Sequence, residues 1–425
     1  IYRFAILFNL YGGKNMRKTK SLLASCLIGV MMLGSVSAYA AETVQTTQST
    51  AVPSFSLDEV KTLVQKNSAN RDAYDLQESI MRLTRKNTLE QMSELDTNSE
   101  YWLAKMKAAE AAGDMKNYNI YYSYYSSITD AYNTNAPTVE KAVDQINDSL
   151  DDLKRQMNDL PTDLDMTSTV LYTKFLELND SRDLMSQNLN MLLQNRKIVQ
   201  LQQQMGLGTD LNLANIDQQI NNLTQSITTL DSGITTVKRT MNNLMGFDLD
   251  YQFNIKPLDL QVATVTYIPA VTSEQIETTL KNDLTLKQLT DKMDYSKVDI
   301  KNTDDTTKKA TYKNDLKGYQ LQYDNQVTTV KNNLNSYRSS LVDAQNAYLN
   351  AQNAYKIAQQ NYNIAELKHN LGLTSDLSFS SEKSTLRQSE NALESAKYDL
   401  YFARANYDFY QKGTVLTLYN TVNKM

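Results

Sequence analysis

Along most of this chain the apolar positions form one narrow stripe at helical spacing, and the other faces carry Asn, Gln, Ser and Thr. The period is strictest in the last third. Ala344, Ala351, Ala358 and Ala365 fall seven apart, as do Ala347 and Ala354, and Tyr348, Tyr355 and Tyr362 run parallel to them. A sustained seven-residue repeat winds helices into a left-handed supercoil. Alanine at the seam lets backbones approach, and the tyrosines seal the groove while keeping their hydroxyls in water. Leu393, Ala396, Leu400, Ala403 and Tyr407 supply a facing stripe on a returning helix. The pattern predicts helices from about Leu57 to Ala112, Thr138 to Asp159 (after a Tyr-rich connection), Thr167 to Met205, Leu211 to Leu244, a further pair from about Ser273, and Leu377 to Gln411. The stretch from Lys308 to Leu371 would extend roughly 95 Å at 1.5 Å per residue. Helices with one thin seam cannot build a thick core, so such rods need each other or other subunits.

The breaks between these helices are marked by the five prolines and the sparse glycines. Proline in a helix interior costs about 3 kcal/mol, so Pro53, Pro137, Pro161, Pro257 and Pro269 read as punctuation. Glycine falls mostly where a helix should end. One tight-turn sequence occurs twice. Gly206-Leu207-Gly208-Thr209-Asp210-Leu211 returns near the end of the chain as Gly372-Leu373-Thr374-Ser375-Asp376-Leu377, and the helices that follow stop at Gly246 and Gly413. Internal duplication of this kind constrains architecture strongly. Between the copies, residues 247–272 look extended, with two prolines and short strands around Phe253, Ile255, Leu258, Leu260, Val262, Val265 and Ile268. The expected organisation is a first helical repeat over 56–246, an extended linker over 247–272, a second repeat over 273–413 and a tail over 414–425. The fold class is mainly α, with two internal repeats of long antiparallel helical hairpins.

The N-terminus reads differently. Met16 opens a secretory signal over 16–40: Arg17, Lys18 and Lys20 are its basic end, Leu22 to Val36 its apolar core, and Ala38-Tyr39-Ala40 its cleavage site. Residues 1–15 read as translated leader, because Gly12-Gly13-Lys14-Asn15 back-translates to a purine-rich run like a bacterial ribosome-binding site; a genuine N-terminal extension is the alternative. Residues 41–55 form a linker. Leu23-Ala24-Ser25-Cys26 also fits a lipoprotein cleavage site, but most of the apolar run follows Cys26, which favours an ordinary signal. Cys26 is the only cysteine, so the exported chain carries no disulfide. No later segment has the ~18–20 apolar residues of a spanning helix.

Charge narrows the function. Residues 1–40 hold five basic residues and no acidic one, so the rest of the chain has 38 basic against 48 acidic, a net charge of −10. A nucleic-acid binder would carry a basic stripe, so none is expected as a partner. His369 is the sole histidine and sits just before the second turn, where it reads as a surface or capping residue. Acidic pairs such as Asp151-Asp152 and Asp304-Asp305 lie in solvated charge runs, no phosphate-cradling glycine loop is present, and Trp102 reads as packing or interface. No catalytic residue, metal site or cofactor is expected.

These residues together resemble the TolC-like outer-membrane efflux proteins. The resemblance rests on the signal peptide, on Phe55-Ser56-Leu57-Asp58-Glu59-Val60 at the start of the first repeat, on the duplication and the Ala/Tyr heptads, and on the closing run from Tyr398 to Tyr407 ahead of Gly413. It implies that Gly206, Leu207, Thr209, Gly372, Leu373 and Ser375 form hairpin tips. Such tips line the aperture of a homotrimeric helical barrel and meet a periplasmic-type adaptor (membrane fusion protein) coupled to an inner-membrane transporter. Asp210 and Asp376 join these tip residues, although family members place the acid about three residues after the Ser/Thr. On physical grounds, glycine permits positive φ, Thr209 and Ser375 can N-cap the returning helices, and the acids favour the helix dipole. The same residues would also serve a hairpin with no partner.

The chain departs from the family at the opposite end. Family members insert two membrane strands into each repeat, alternating apolar and polar residues over about 9–11 positions. Lys297 to Lys317 is rich in Lys, Asp, Asn and Thr and cannot face lipid. The matching part of the first repeat is longer by about fifty residues, and its Tyr118, Tyr121, Tyr122, Tyr124, Tyr125 and Tyr132 are spaced more like a helix than a strand. Little or no membrane β-barrel is therefore expected, and membrane contact stays open. The implied function is an export duct in the cell envelope, in the outer membrane and periplasm of a diderm cell or the wall zone of a monoderm one. The alternative is a barrel-less envelope structural or coiled-coil protein that has kept the fold and lost transport.

Overall fold

The computed structural model describes residues 52–207, 209–258, 260 and 267–423. The expected leader and signal lie outside the described residues, as do Gly208 and residues 261–266 of the linker. The elements in order are β1 (Ser54–Phe55), α1 (Leu57–Asn67), α2 (Ala69–Ala111), α3 (Met115–Gln204), α4 (Asp210–Met245), β2 (Asn254–Ile255), α5 (Ser273–Asn282), α6 (Leu284–Asn302), α7 (Thr306–Asn370), α8 (Asp376–Lys412) and α9 (Thr417–Val422). The chain is mainly α, with long antiparallel helical hairpins and no closed barrel among the described residues.

Each repeat is built on one long helix. The C-terminal part of α3 pairs with α4 through the turn at Gly206, and its N-terminal part pairs with α2 through a turn at Gly113. In the second repeat α7 pairs with α8 through Gly372 and with α6 through the short connection at 303–305. Short α1 packs on α3 and α4, and α5 packs likewise on α7 and α8. The thickest core sits at this level, where Val60, Val64, Tyr172, Met241, Met245 and Phe253 are all buried in one cluster. A second cluster joins the repeats through Met166 and Val170 of α3, Tyr398 and Phe402 of α8, and Leu416 and Tyr419.

Two features recur at equivalent positions and fix this level. Gly246 and Gly413 end α4 and α8 in the left-handed conformation, with φ of 77° and 68°. A Cβ at Gly246 would lie 2.8 Å from the Asn67 Cβ, and one at Gly413 would lie 2.6 Å from the Asn282 carbonyl oxygen. The close approach lets Asn67 Nδ2 donate to the Met245 carbonyl at 2.8 Å and Asn282 Nδ2 to the Gln411 carbonyl at 3.0 Å, so each satisfies an otherwise unpaired helix-end acceptor. The linker is also held from both repeats. The Tyr172 hydroxyl, 2.6 Å from the Lys256 carbonyl and 3.0 Å from that of Phe55, ties β2 to β1, which pair in parallel as Ser54↔Asn254 and Phe55↔Ile255. Burial pushes its pKa to about 12. Arg338 holds the place in α7 that Tyr172 holds in α3, counted back from Gly372 and Gly206. Its guanidinium donates to the Ile268 and Pro269 carbonyls at 2.8 and 2.5 Å.

The structure corrects several sequence expectations. Pro137 and Pro161 do not break a helix; both lie inside α3, whose 90 residues also absorb the Tyr-rich connection. Tertiary packing outweighs the local penalty: Val139 and Ala142 beside the first proline, and Leu160, Asp163 and Leu164 beside the second, are all buried. Conversely, the helix expected over Leu57–Ala112 is interrupted at Ser68, which leaves α1 extended and N-caps α2 through Asn70 N; Asp283 does the same between α5 and α6. The stretch after Gly413 is more than a tail. It contains α9, whose first amides are received by the buried Asp163: Leu418 N and Tyr419 N donate at 2.9 and 2.8 Å, while Val415 N donates to Asp159. Burial pushes the Asp163 pKa up against the pull of these donors.

Beyond the Asn–Gly contacts the repeats differ in length. α2 has 43 residues against 19 in α6, and α3 has 90 against 65 in α7. The excess of about fifty residues is thus an extension of the α2/α3 hairpin. Lys141 of α3 lies 3.3 Å from Asp299 near the end of α6. From there α3 continues toward Met115 for about 39 Å. On this arm Trp102 stacks on Tyr124 at 4.7 Å, with Tyr101 and Tyr121 at 5.1 and 5.8 Å.

Candidate functional site

The two turns predicted as tips are built alike, hydrogen bond for hydrogen bond. In the first, Gly206 has φ of 74°, its amide donates to the Gln203 carbonyl at 2.9 Å, and Leu207 N donates to Gln202 O at 2.8 Å. In the second, Gly372 has φ of 72°, with Gly372 N to His369 O at 2.9 Å and Leu373 N to Lys368 O at 2.8 Å. These paired bonds satisfy the last carbonyls of α3 and α7, and glycine supplies the positive φ they need. Thr209 and Ser375 then N-cap the returning helices, accepting from Asn212 N at 3.3 Å and Ser378 N at 3.2 Å. Asp210 and Asp376 occupy the first turns of α4 and α8, at the favourable end of the helix dipole.

A solvent-exposed polar bond spans each tip. Gln203 Nε2 donates to Asp210 Oδ1 in the first. In the second the equivalent pair is His369 Nε2 and Asp376 Oδ1, 2.7 Å apart, with the imidazole stacked on Phe379 at 4.5 Å. The acids therefore face back across the turn.

Around these bonds lies an apolar cap that sequence reasoning largely missed. It named Leu207 and Leu373, but Leu201, Met205 and Leu211 are also exposed, the four of the first tip ranging from 57% to 77%. Their equivalents at the second tip, Leu367, Leu371, Leu373 and Leu377, range from 38% to 72%. The signal that could have found them is the register that aligns Gly206 with Gly372. In that register large apolar residues recur at matching positions around both turns.

The heptad residues line the approach to the second tip. Ala344 and Tyr348 pack with Leu400, Ala403 and Tyr407 of α8. Further on, Ala351, Tyr355, Tyr362 and Ala365 are half-buried and Ala358 is buried, whereas Ala347 and Ala354 are exposed and lie off the seam. Tyr362 approaches Phe379 at 5.6 Å and donates to Glu366 at 3.1 Å. Among the described residues no three His, Cys, Asp or Glu side chains converge as a metal site, and no described helix is long and apolar enough to cross a membrane.

No family model matches the chain, and neither does any curated protein. Solved structures similar to it include an outer membrane channel and other membrane proteins. The Campylobacter jejuni CmeC outer membrane channel is 10% identical, over 67% of this chain and 71% of that one, with a TM-score of 0.46. The outer membrane protein VceC of Vibrio cholerae is 11% identical, over 65% and 76%, with a TM-score of 0.43. A membrane protein from Pseudomonas aeruginosa is 9% identical, over 85% and 93%, with a TM-score of 0.46. At such values the likeness stands as a likeness only, and the fold rests on the chain's own helices.

Proposed function

We propose that this chain is a subunit of a homotrimeric helical export duct of the cell envelope. The apolar tips would be its contact with a periplasmic-type adaptor, and the adaptor would couple it to an inner-membrane transporter. The observation that carries this reading is the duplicated tip: two turns with the same hydrogen bonds, each crowned by four exposed apolar residues. Exposed leucines rimmed by polar residues mark interaction sites on proteins that are otherwise polar. The narrow seams point the same way, because hairpins this thin gain stability by lying side by side. Working through such a duct is steric: the tips close an aperture, and an adaptor that binds the open arrangement better shifts the population toward it. Leu207→Asp combined with Leu373→Asp leaves helix packing untouched and should abolish adaptor binding and fail to restore export in a strain lacking the gene. Full restoration would refute the tips as the contact, and a strictly monomeric exported chain at high concentration would refute the duct.

A second reading is a structural envelope protein that has kept the fold without transport. It is favoured by the opposite end, where tight turns at 112–114 and 303–305 stand in place of membrane strands. A measured export defect on deletion would eliminate it.

A further inference from the structure

The arm that α2 and α3 form beyond Lys141 differs in composition from the rest of the chain. From Asn117 to Thr129, α3 carries no charged residue on any face; five of these thirteen positions are tyrosine, and most of the others are Asn, Ser and Thr. The rings form two patches. Tyr122 stacks on Tyr118 at 6.3 Å, and Tyr124 stacks on Trp102 at 4.7 Å, with Tyr101 edge-on to the indole at 5.1 Å. Tyr122 and Tyr124 are two residues apart, which sets them about 200° apart around a helix, so the patches flank the α2/α3 seam on opposite sides. Tyr101, Tyr122 and Tyr124 remain 52%, 52% and 49% exposed. We propose that the arm end is an interface between copies of this chain, the Tyr118–Tyr122 flank of one copy docking on the Trp102–Tyr124 flank of the next.

Composition, charge and coverage favour a second copy as the occupant. The centres of protein interfaces are rich in Tyr and Trp and poor in charge, as this stretch is. Identical surfaces meet without repulsion where they carry no net charge, whereas residues 41–425 as a whole hold 48 acidic against 38 basic residues. The nearest charges on α2 are of both signs: Glu100, and Lys105 with its ammonium 5.7 Å from the Tyr101 ring centre. On the tip side the outer face of α3 is covered from within the chain. There Ser384 Oγ donates to Asn188 Oδ1 at 2.9 Å and Arg387 Nη2 to Asp180 Oδ1 at 3.1 Å, both from α8. The arm pairs α3 with α2 alone and runs about 39 Å past the end of α6, so nothing in its own chain reaches its flanks. Two different flanks at nearly one height make a heterologous contact, in which each arm offers one flank to each neighbour and the set closes as a ring. A two-fold dimer would use one patch twice and leave the other wet. The number three rests on the duct proposed above; the flank-to-flank contact does not.

The test uses the full chain in a Cys26→Ser background, with Ile120→Cys and Ser126→Cys introduced together or singly. Ile120 lies one turn from Tyr124 and Ser126 one turn from Tyr122, so each thiol marks a flank while the rings stay in place. A short bismaleimide should link the double variant into closed trimers and leave each single variant largely unlinked. Adding Tyr122→Lys or Tyr124→Lys, both at half-exposed positions, should lower the linked fraction at least about tenfold with helicity by circular dichroism unchanged. Linked dimers of a single variant would overturn the contact, since like flanks would then meet. Sedimentation of the unmodified chain separates this inference from the duct. An oligomer whose arms do not link overturns the inference and leaves the duct, whereas linked arms on chains whose tips bind no adaptor keep it and refute the adaptor reading. Trp102, the sole tryptophan, reports other occupants. A shift in its emission when phosphatidylglycerol vesicles or chitohexaose are added to unlinked chains would assign the arm to a lipid surface or a glycan and overturn the proposal.

Discussion

From the tip to the Asn–Gly contact the two repeats are near copies, and beyond it they part. On the tip side each has the same turn, the same cap, the same glycine stop and the same asparagine against it. On the other side, α2 runs 43 residues and closes at Gly113, while α6 runs 19 and closes at residues 303–305. The difference shows where geometry binds the sequence. Near the Asn–Gly contact several elements approach within van der Waals distance, and a changed length would misplace all of them. Farther out, past the Lys141–Asp299 contact, the arm is α2 paired with α3, and a two-helix hairpin there can gain or lose whole turns without disturbing the level of the Asn–Gly contact.

That contrast is broken most severely at the glycines. Gly413→Ala would drive a methyl to 2.6 Å from a backbone carbonyl oxygen at positive φ, and Gly246→Ala one to 2.8 Å from the Asn67 Cβ. Each should destabilise by about 2–4 kcal/mol in urea unfolding, with Gly413 the worse because backbone cannot swing aside. The tip glycines share the positive φ, but nothing lies within 4 Å of a Cβ there, so Gly206→Ala and Gly372→Ala should cost only about 1 kcal/mol. Equal losses at all four positions would mean that strain in φ, rather than close approach, sets the penalty.

The linker anchors come next. Tyr172→Phe keeps the buried ring but removes the hydroxyl donor of the Lys256 carbonyl, while the Phe55 carbonyl keeps the Lys256 amide at 2.9 Å, for an expected loss of about 1–3 kcal/mol. Arg338→Ala removes bonds that water can partly replace, since Arg338 is only half-buried, and should cost about 1 kcal/mol. Chemical denaturation of the two variants would sharpen the comparison, and a larger effect at Arg338 would contradict it. Where the repeats part, Lys141→Ala loses a half-exposed ion pair and should change stability by less than about 0.5 kcal/mol.

How far the fold was legible follows the same division. The turns at Gly206 and Gly372 and the stops at Gly246 and Gly413 depend on a conformation that glycine alone adopts freely, so four residues sufficed to find them. The bonds that span the tips were not legible, because Gln203 and His369 gain meaning only once α4 and α8 return beside them. Pro137 and Pro161 misled, since their local penalty is real but α3 is held on both sides of each by packing that a linear reading does not contain. The breaks at Ser68 and Asp283 were written in a third duplicated motif, Lys66-Asn67-Ser68 and Lys281-Asn282-Asp283, whose asparagines make the Asn–Gly contacts. The docking of α9 depends on Asp163, a buried acid on another helix 255 residues from its bonding partner Leu418, and no local signal announces it.

The smallest expected difference lies at the start of each repeat and depends on pH. Ser56 and Glu59 form a capping box on α1, with Ser56 N donating to Glu59 Oε2 at 2.6 Å and Glu59 N to Ser56 Oγ at 3.3 Å; Thr272 and Gln275 form its uncharged equivalent on α5. The backbone amide and hydroxyl of Ser56 hold the Glu59 carboxyl down to about 2, with Lys256 assisting at 3.1 Å. A carboxyl whose pKa is lower in the folded chain than in the unfolded one stabilises the fold above its ordinary value of 4.5, and that contribution is lost as pH falls toward 2. Acid should therefore loosen α1 while leaving the cap of α5 intact. Hydrogen exchange of the α1 and α5 amides between pH 5 and pH 2.5, corrected for intrinsic rates, should show protection falling in α1 alone. Glu59→Gln copies the second repeat and should abolish the difference. Parallel loss in both helices would mean that acid acts on the packing they share rather than on the one carboxylate that tells them apart.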